Sequence, residues 1–224
     1  MPDLNLPYRS RLSDSNTASP AIVLVHGWLG NEDVMWIFES SVPREAALFS
    51  PRAPLAVGSG YGWYAPDADA ESFSAGVQAL REFVARLPAV HRVDPARIVL
   101  VGFSQGAAMS SALMLSAPQL IHGLAMLAGF LPKPARDWVR PEALQGKAVF
   151  IAHGTEDDTI PVAEAVRARE ALTRAGAEVT YGEYPVGHKM NTAALRALKG
   201  WLVKVTASTD TQPLRVSGQS VSGQ

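Results

Sequence analysis

Cysteine is absent from the 224 residues of this chain. The absence excludes disulfide bonds, thiolate metal sites and a cysteine nucleophile. Disulfides belong to oxidising compartments, so a chain without cysteine fits a reducing compartment, although the absence alone carries little weight. A nucleophile in this protein must therefore be an oxygen or nitrogen group.

Long apolar runs and clusters of like charge are missing as well. No run approaches the roughly 18 apolar residues that span a bilayer, and the N-terminal segment lacks the basic and apolar regions of a signal peptide. The formal net charge is −1 without a Lys/Arg cluster, which argues against binding to nucleic acid or to an anionic membrane surface. The hydrophobic fraction of 47% is enough for one well-buried core. We expect a globular cytoplasmic protein, either a monomer or a homodimer.

Strand and helix patterns alternate along the chain. This alternation predicts an α/β fold with a mainly parallel central sheet and helices on both faces. We expect one domain over residues 1–205 and a disordered tail over residues 206–224, where Ser, Thr, Gln and Gly dominate. The predicted strands are 21–25, 47–49, 97–101, 121–127, 148–152 and 178–184. The predicted helices are 73–87, 107–115, 162–175 and 195–205.

The segment Gly102-Phe103-Ser104-Gln105-Gly106 fits the pattern G-x-S-x-G. A predicted buried strand precedes it and a predicted helix follows it, so the serine lies at a sharp strand-to-helix turn with its hydroxyl exposed. Glycine is needed on both sides because a side chain there would collide with the neighbouring strand or helix. Free N–H groups at the helix N-terminus can stabilise a developing negative charge. Ser104 is therefore the predicted nucleophile.

Ser104 needs a general base and an orienting acid, because a hydroxyl is a poor nucleophile at neutral pH. Both groups should lie at the C-terminal ends of later strands, where open α/β sheets bind ligands. His188 directly follows a predicted strand and precedes the last helix. Glu156, Asp157 and Asp158 follow the preceding strand, and all three are candidates for the acid. The order serine, acid, histidine is the order that this fold class uses.

Five short segments carry a more specific pattern. They are His26-Gly27-Trp28-Leu29-Gly30, Pro51-Arg52-Ala53-Pro54, residues 102–106, His153-Gly154 with Asp157 and Pro161, and Gly187-His188. Together they resemble the phospholipase/carboxylesterase family of α/β-hydrolases, which includes acyl-protein thioesterases and small bacterial carboxylesterases. The resemblance covers roughly residues 21–205. Its most specific parts are the Ser-Gln-Gly turn and the pattern His-Gly-x-x-Asp-x-x-x-Pro.

The resemblance implies a role for each matching residue. Ser104 corresponds to the nucleophile, Asp157 to the acid and His188 to the base. The backbone N–H groups of Trp28 and Gln105 correspond to the oxyanion hole. The implied fold is that of an α/β-hydrolase.

Competing candidates have other expected roles. The spacing from the His-Gly pair favours Asp157 as the acid, whereas Asp158 is expected to cap the following helix. His26 and His153 each precede a glycine at a strand end, so we expect them to bond backbone groups and organise loops. Two further histidines have no acidic neighbour or metal-ligand spacing and are expected to be scaffold: His91 and His122.

The chain departs from the thioesterase members in two segments that border the acyl pocket. Residues 28–33 replace the usual loop after the first His-Gly pair, and residues 128–130 differ after the strand 121–127. Substrate identity is therefore what the resemblance leaves most open. The candidate pocket residues lie in these and other loops: Leu29, Trp36, Trp63, Tyr64, Phe130 and Ile160.

A helical cap over the site is not expected, because residues 129–146 contain three prolines, at 132, 134 and 141. An open site suits small-molecule esters with small to medium acyl groups. We expect a serine hydrolase that cleaves such carboxylic esters through an acyl-enzyme. No cofactor and no metal is expected, since neither G-x-G-x-x-G nor H-E-x-x-H occurs. The alternatives are an acyl-protein thioesterase or lysophospholipase and, from another class, a non-catalytic scaffold that binds a small ligand or a protein partner.

Overall fold

The computed structural model describes residues 4–67 and 70–207 of the chain. Within these ranges the strands are β1 (Tyr8–Arg11), β2 (Ser19–Val25), β3 (Ala47–Pro51), β4 (Leu55–Val57), β5 (Gly60–Gly62), β6 (Val93–Phe103), β7 (Gly123–Leu127), β8 (Ala148–Gly154) and β9 (Glu178–Tyr184). Seven of them form one sheet in the order β1-β3-β2-β6-β7-β8-β9, and β4 pairs with β5 in a separate hairpin. In the large sheet β1 is antiparallel to β3, and all the other neighbouring pairs are parallel. The predicted mainly parallel sheet is confirmed.

Helices follow most of the parallel strands and lead the chain back across the sheet. The α-helices are α1 (Ala70–Val90), α2 (Gln105–Ser116), α3 (Lys133–Arg136), α4 (Val162–Arg174) and α5 (Thr192–Thr206), and two 3₁₀-helices span Val34–Ser41 and Pro118–Leu120. None of the helices described in residues 4–67 and 70–207 is long and apolar enough to cross a membrane.

The sheet has a hydrophobic core on each face, as alternate residues of β2 illustrate. Ala21, Val23 and Val25 belong to the core that contains buried side chains of α1, α2 and α4. Ile22 and Leu24 belong to the core formed with α5 and the first 3₁₀-helix. All five side chains are completely buried, and each buried Val, Leu or Ile stabilises the fold by about 1.5–3 kcal/mol. The expected arrangement of helices on both faces is confirmed.

Several predicted boundaries shift by a few residues. β7 begins at Gly123 instead of at residue 121, because Ile121 ends the preceding 3₁₀-helix and donates its N–H to Pro118 O at 3.3 Å. α5 continues to Thr206, one residue beyond the expected domain boundary. Residues 208–224 lie outside the described part of the chain, so the expected tail remains a prediction.

Residues 129–146 form no large cap over the sheet. They contain α3, which has four residues, and a series of turns. The end of the segment is tied to the body of the protein, since Leu144 N donates to Ala175 O at 2.8 Å. The C-terminal ends of the parallel strands therefore stay accessible, as the three prolines predict.

Candidate active site

Ser104 occupies a strained turn between β6 and α2. Its φ of 53° and ψ of −119° are unusual for a residue with a side chain, and its N–H donates to Leu127 O at 2.9 Å. A Cβ at Gly106 would lie 2.0 Å from Val25 O, and one at Gly102 would lie 2.4 Å from the carbonyl oxygen of Gly106. Neither contact is possible, so the predicted requirement for glycine on both sides of the serine is confirmed.

His188 and Asp157 form a close pair at the ends of neighbouring strands. The Nδ1 atom of His188 lies 2.7 Å from Oδ2 of Asp157. The Asp157 side chain is completely buried, whereas 21% of the His188 side chain is exposed. A carboxylate only accepts hydrogen bonds, so Nδ1 carries the hydrogen and Nε2 is left free to accept a proton. His188 and Ser104 both line the same cavity.

The Asp157 carboxylate is also held by the backbone that follows it. Its Oδ1 accepts hydrogen bonds from Thr159 N at 3.0 Å and from Ile160 N at 2.8 Å. Burial raises the pKa of Asp157, but the Ile160 N–H and the neighbouring His188 outweigh burial and bring this pKa below its ordinary value. Asp157 is therefore ionised at neutral pH, as an orienting acid must be.

The two competing carboxylates do not contact His188. Glu156 and Asp158 are both exposed. The expectation that Asp158 caps the next helix is wrong, because α4 begins after Pro161 and no side chain bonds its first N–H groups. Asp158 is bonded instead to the Thr159 hydroxyl, at 3.5 Å. It is Asp157 whose side chain accepts from the backbone of this turn.

A close backbone contact fixes the loop that carries His188. A Cβ at Gly154, the last residue of β8, would lie 2.2 Å from Val186 O and 2.4 Å from Gly187 O. The absence of a side chain at Gly154 lets the two loops touch. Glu156 N donates to Val186 O at 3.1 Å across the same contact. The loops after β8 and β9 are thereby joined, which brings the predicted acid and base together.

The two predicted oxyanion residues both lie near Ser104. A Cβ at Gly27 would be 3.2 Å from the Ser104 Cβ, so the turn that contains Trp28 is packed against the serine. Trp28 also lines the cavity. Gln105 is the first residue of α2, where backbone N–H groups have no partner within the helix.

Trp63 and Tyr64 belong to the scaffold of this region and do not line the cavity that contains Ser104. Trp63 is only 2% exposed, and its indole Nε1 donates to His26 O at 2.9 Å. The Gln105 side chain accepts a hydrogen bond from Trp63 N at 2.9 Å and donates one to Tyr64 O at 2.8 Å. The Tyr64 ring packs edge-on against Phe73 at 5.1 Å, and burial raises the pKa of Tyr64 to about 12. These contacts hold the two predicted oxyanion segments together.

His26 and His153 bond backbone groups, as expected. His26 Nε2 accepts from Ala53 N at 3.0 Å, so its Nδ1 donates to Gly27 O at 2.7 Å. Burial lowers the pKa of His26, although the Gly27 carbonyl and Glu32 oppose the change. His153 Nε2 lies 2.8 Å from Ile160 O.

The remaining histidines lie away from the cavity that contains Ser104. His91 Nε2 is 3.0 Å from the Tyr8 hydroxyl, and burial lowers the pKa of His91. Burial, followed by the charge of Lys147, lowers the pKa of His122. Both are scaffold residues, as their surroundings in the sequence predict.

An ion pair anchors the loop that follows His26. The Nε of Arg52 donates to Glu32 Oε2 at 2.6 Å, and a second guanidinium nitrogen bonds Oε1. The Arg52 guanidinium also lies 4.7 Å from the centre of the Tyr61 ring. The hydrogen bond with Arg52 lowers the pKa of Glu32. The pair joins the loop after β2 to the end of β3.

The cavity has a volume of about 470 Å³ and mostly apolar walls. Of the predicted pocket residues, Leu29 is the one that lines it within the described part of the chain. Trp36 lies under the Arg9 guanidinium, which is 4.1 Å from its ring centre, and Ile160 contributes its backbone to the turn that holds Asp157. Phe130 is half-buried and does not line this cavity. The main apolar walls are residues that the sequence did not single out: Val34, Met35, Ile37, Phe38, Met190 and Leu195.

A family model described as phospholipase/carboxylesterase matches residues 11–206. The chain belongs to this family. It is 28% identical over 215 residues to acyl-protein thioesterase 1 of Emericella nidulans, covering 82% of this chain and 89% of that protein. It is 25% identical over 203 residues to a probable carboxylesterase SOBER1-like protein of Arabidopsis thaliana, covering 85% and 74%. The crystal structure of the Bacillus cereus carboxylesterase superposes with a TM-score of 0.82 at 25% identity, covering 90% of this chain and 95% of that one.

The two segments that are expected to differ from the thioesterases have different surroundings in this member of the phospholipase/carboxylesterase family. Residues 28–30 line the cavity together with the 3₁₀-helix Val34–Ser41. The second segment packs behind the nucleophile: Ala128 has a φ of 46°, and a Cβ at Gly129 would lie 2.3 Å from the Ala107 Cβ. The first segment is therefore the one that shapes the cavity.

No group of three or more His, Cys, Asp or Glu side chains is arranged to hold a metal ion in the part of the chain that the structure describes.

Proposed function

We propose that Ser104, His188 and Asp157 are the catalytic triad with which this chain, a serine hydrolase of carboxylic esters, forms and hydrolyses an acyl-enzyme. The observation that carries the proposal is the 2.7 Å hydrogen bond between His188 Nδ1 and the buried Asp157 carboxylate. The same histidine lines a cavity with Ser104, which has the backbone of a nucleophile at a strand-to-helix turn.

The first half of the reaction acylates the serine. Ser104 Oγ attacks the ester carbonyl carbon while His188 Nε2 takes the hydroxyl proton. Asp157 keeps the hydrogen of the imidazole on Nδ1 and stabilises the imidazolium. When the tetrahedral intermediate collapses, the bond to the alcohol breaks and His188 Nε2–H protonates the leaving oxygen. The acyl group remains on Ser104 Oγ.

The second half returns the enzyme to its starting state. A water molecule attacks the acyl carbon and gives a proton to His188 Nε2, which then protonates Ser104 Oγ as the carboxylic acid leaves. The backbone N–H groups of Trp28 and Gln105 bind the oxyanion in both halves. Each such donor contributes about 3 kcal/mol to transition-state stabilisation. The N-terminus of α2 adds a favourable dipole at Gln105.

The cavity supports esters with small to medium apolar groups. Its walls are mainly aliphatic and aromatic, and its volume is about 470 Å³. A thioesterase or lysophospholipase activity is the second candidate. It is favoured by apolar side chains at the cavity mouth that remain exposed to solvent: Leu29 is 54%, Val34 45% and Ile37 74% exposed. Such a rim can accommodate a chain longer than the cavity.

Substitution of the nucleophile tests the proposal. Ser104→Ala should reduce ester turnover on the order of 10⁶-fold, because the covalent route is lost. The matched control is Ser116→Ala at the exposed end of the same helix, which should keep wild-type turnover. A fluorophosphonate should label the wild-type protein and the control but not Ser104→Ala. A Ser104→Ala protein with a tenth of wild-type turnover would exclude Ser104 as the nucleophile.

A substrate panel separates the candidate activities. We expect p-nitrophenyl esters of short and medium chain length to give higher kcat/KM than long-chain acyl thioesters or lysophospholipids. The reverse order would assign the second candidate. Failure of the wild-type protein to react with the fluorophosphonate would favour a non-catalytic binding protein.

A cytoplasmic location, a monomeric or homodimeric state and a single domain over residues 1–205 are proposals of the same kind. The lack of cysteine supports the first, and the size of the core supports the last. Cell fractionation, light scattering and limited proteolysis test the three in turn.

A further inference from the structure

His153 places a second imidazole beside the Asp157 carboxylate. It is the penultimate residue of β8, and its side chain and that of Asp157 are completely buried. Its Nε2 lies 2.8 Å from Ile160 O and 3.3 Å from Asp157 Oδ2. Oδ2 is also the oxygen bonded to His188. The carboxylate therefore lies between two histidine rings, and the mechanism above uses only one of them.

The surroundings of His153 determine which ring nitrogen carries the hydrogen. A backbone carbonyl and a carboxylate can only accept hydrogen bonds, so Nε2 must be the donor. The other nitrogen, Nδ1, is buried without a hydrogen-bond partner among the described residues. A hydrogen on Nδ1 would be a buried donor without an acceptor, which is costly. His153 is thus a neutral imidazole with its hydrogen on Nε2, and it is not a second base.

One N–H group of His153 acts on both ends of the turn that holds the acid. Ile160, whose carbonyl it bonds, also donates its own N–H to Oδ1 of Asp157. The ring is fixed in turn by β8, where His153 is in register with Glu183 of β9. The ring therefore holds the turn through Ile160, whose N–H bonds Oδ1, and it points its own N–H group toward Oδ2.

We infer that His153 is a positioning residue for the acid: its Nε2–H, bonded to Ile160 O and facing Oδ2, fixes the Asp157 carboxylate against Nδ1 of His188. The inference rests on the proposed triad. His153 faces the carboxylate from β8 and His188 faces it from the loop after β9. The other acidic residues of the loop after β8, Glu156 and Asp158, are exposed.

Two amide substitutions of different length test the inference. In His153→Gln the amide nitrogen reaches the place of Nε2, whereas in His153→Asn it reaches only about as far as Nδ1. We expect His153→Gln to keep kcat within about fivefold of wild type. His153→Asn should lower kcat about 10–100-fold with KM nearly unchanged, because displacement of a catalytic group by about 1 Å costs up to about 100-fold.

A double substitution shows whether His153 acts through the acid. In an Asp157→Asn background, His153→Asn should lower kcat by less than about threefold further, because residues that act as a unit are not additive. Equal losses in His153→Gln and His153→Asn, or a full further loss in the double variant, would overturn the inference in favour of a structural role. Wild-type activity in a folded His153→Asn protein would overturn it too. Full activity in Asp157→Asn alone would instead refute the triad.

Nitrogen chemical shifts of the histidine side chains provide a test on the unaltered protein, should a variant fail to fold. Two-bond ¹H–¹⁵N spectra of the active protein should show His153 with its hydrogen on Nε2. A hydrogen on Nδ1 of His153 would contradict the inference whatever the variants do.

Discussion

Adding one methyl group at Gly154 should displace His188, the proposed general base. The φ of Gly154 is not among the positive values, so alanine is allowed there by the backbone. The obstacle is space: the new Cβ would lie 2.2 Å from Val186 O, whereas carbon and oxygen atoms in contact are about 3.3 Å apart. The loop after β9 must therefore retreat by about 1 Å.

This retreat acts directly on His188, which follows Gly187. Displacement of a reacting group by about 1 Å can cost on the order of 100-fold in rate. We expect Gly154→Ala to lower kcat/KM by about that factor. The forced contact should also lower the free energy of unfolding by about 1–3 kcal/mol. The assay is hydrolysis of a p-nitrophenyl ester on the pH plateau, with thermal unfolding measured on the same preparation.

Gly187→Ala is the matched control, because it adds the same methyl group next to His188 without a clash. Its Cβ would have Glu156 O as the nearest neighbour at 3.6 Å, which is an ordinary contact. We expect a change of less than about threefold, within the usual range for surface substitutions. If folded Gly154→Ala keeps more than a third of wild-type kcat/KM, the backbone contact does not position His188. Equal losses in the two variants would also show that the contact at Gly154 does not position His188.

The remaining predictions concern the acid and the pH dependence. Asp157→Asn should lower turnover roughly 10⁴-fold by favouring the wrong histidine tautomer, whereas exposed Asp158→Asn should change it less than about tenfold. The opposite ranking would assign the role of the acid to Asp158. The lowered pKa of Asp157 keeps this group ionised as the pH rises from about 5, so kcat/KM should show one ionisation, that of a histidine, between about 5.5 and 7.5 and then level off. A rate already constant below about pH 5 would remove His188 as the base, and loss of activity in EDTA that zinc restores would require a metal site.

The surroundings of Ser104 could be predicted because short-range contacts determine them. The turn itself requires glycine at 102, and the adjacent β2 requires glycine at 106. Both glycines are part of the motif, so the motif alone predicts this packing. His188 was identifiable from its place between a strand and a helix. The choice of Asp157 depended on the family's His-Gly-x-x-Asp spacing, because the strand and helix pattern alone cannot tell which of three adjacent carboxylates turns inward.

The cavity walls could not be predicted because they depend on packing between distant segments. Residues 34–38 form an apolar run that fits neither a helix nor a strand pattern. In the structure they belong to a 3₁₀-helix that packs against α5. Trp63 was expected in a pocket since it follows a strand-rich region in a loop. Its indole instead found an acceptor in His26 O, 37 positions away along the chain.

Among the small elements that were not predicted, β1 and the β4–β5 hairpin were missed for different reasons. β1 is a short polar edge strand, Tyr8-Arg9-Ser10-Arg11, without alternating apolar residues. The sequence does contain a pattern that predicts the β4–β5 hairpin. Gly58 and Ser59 separate its strands, and a two-residue turn with glycine is typical of hairpins. Gly58 has a φ of 56°, which such a turn requires.

The backbone of Ser104 has a consequence for how this protein evolves. A φ of 53° with a ψ of −119° costs a residue with a side chain about 1–3 kcal/mol, whereas glycine adopts positive φ freely. Selection for stability alone would favour glycine at position 104. A related protein that used the fold only to bind a ligand would not need a serine at position 104. Replacing this serine by glycine would make such a protein more stable. On the proposed mechanism, the strained backbone at Ser104 is a loss of stability that accompanies a nucleophile at this position.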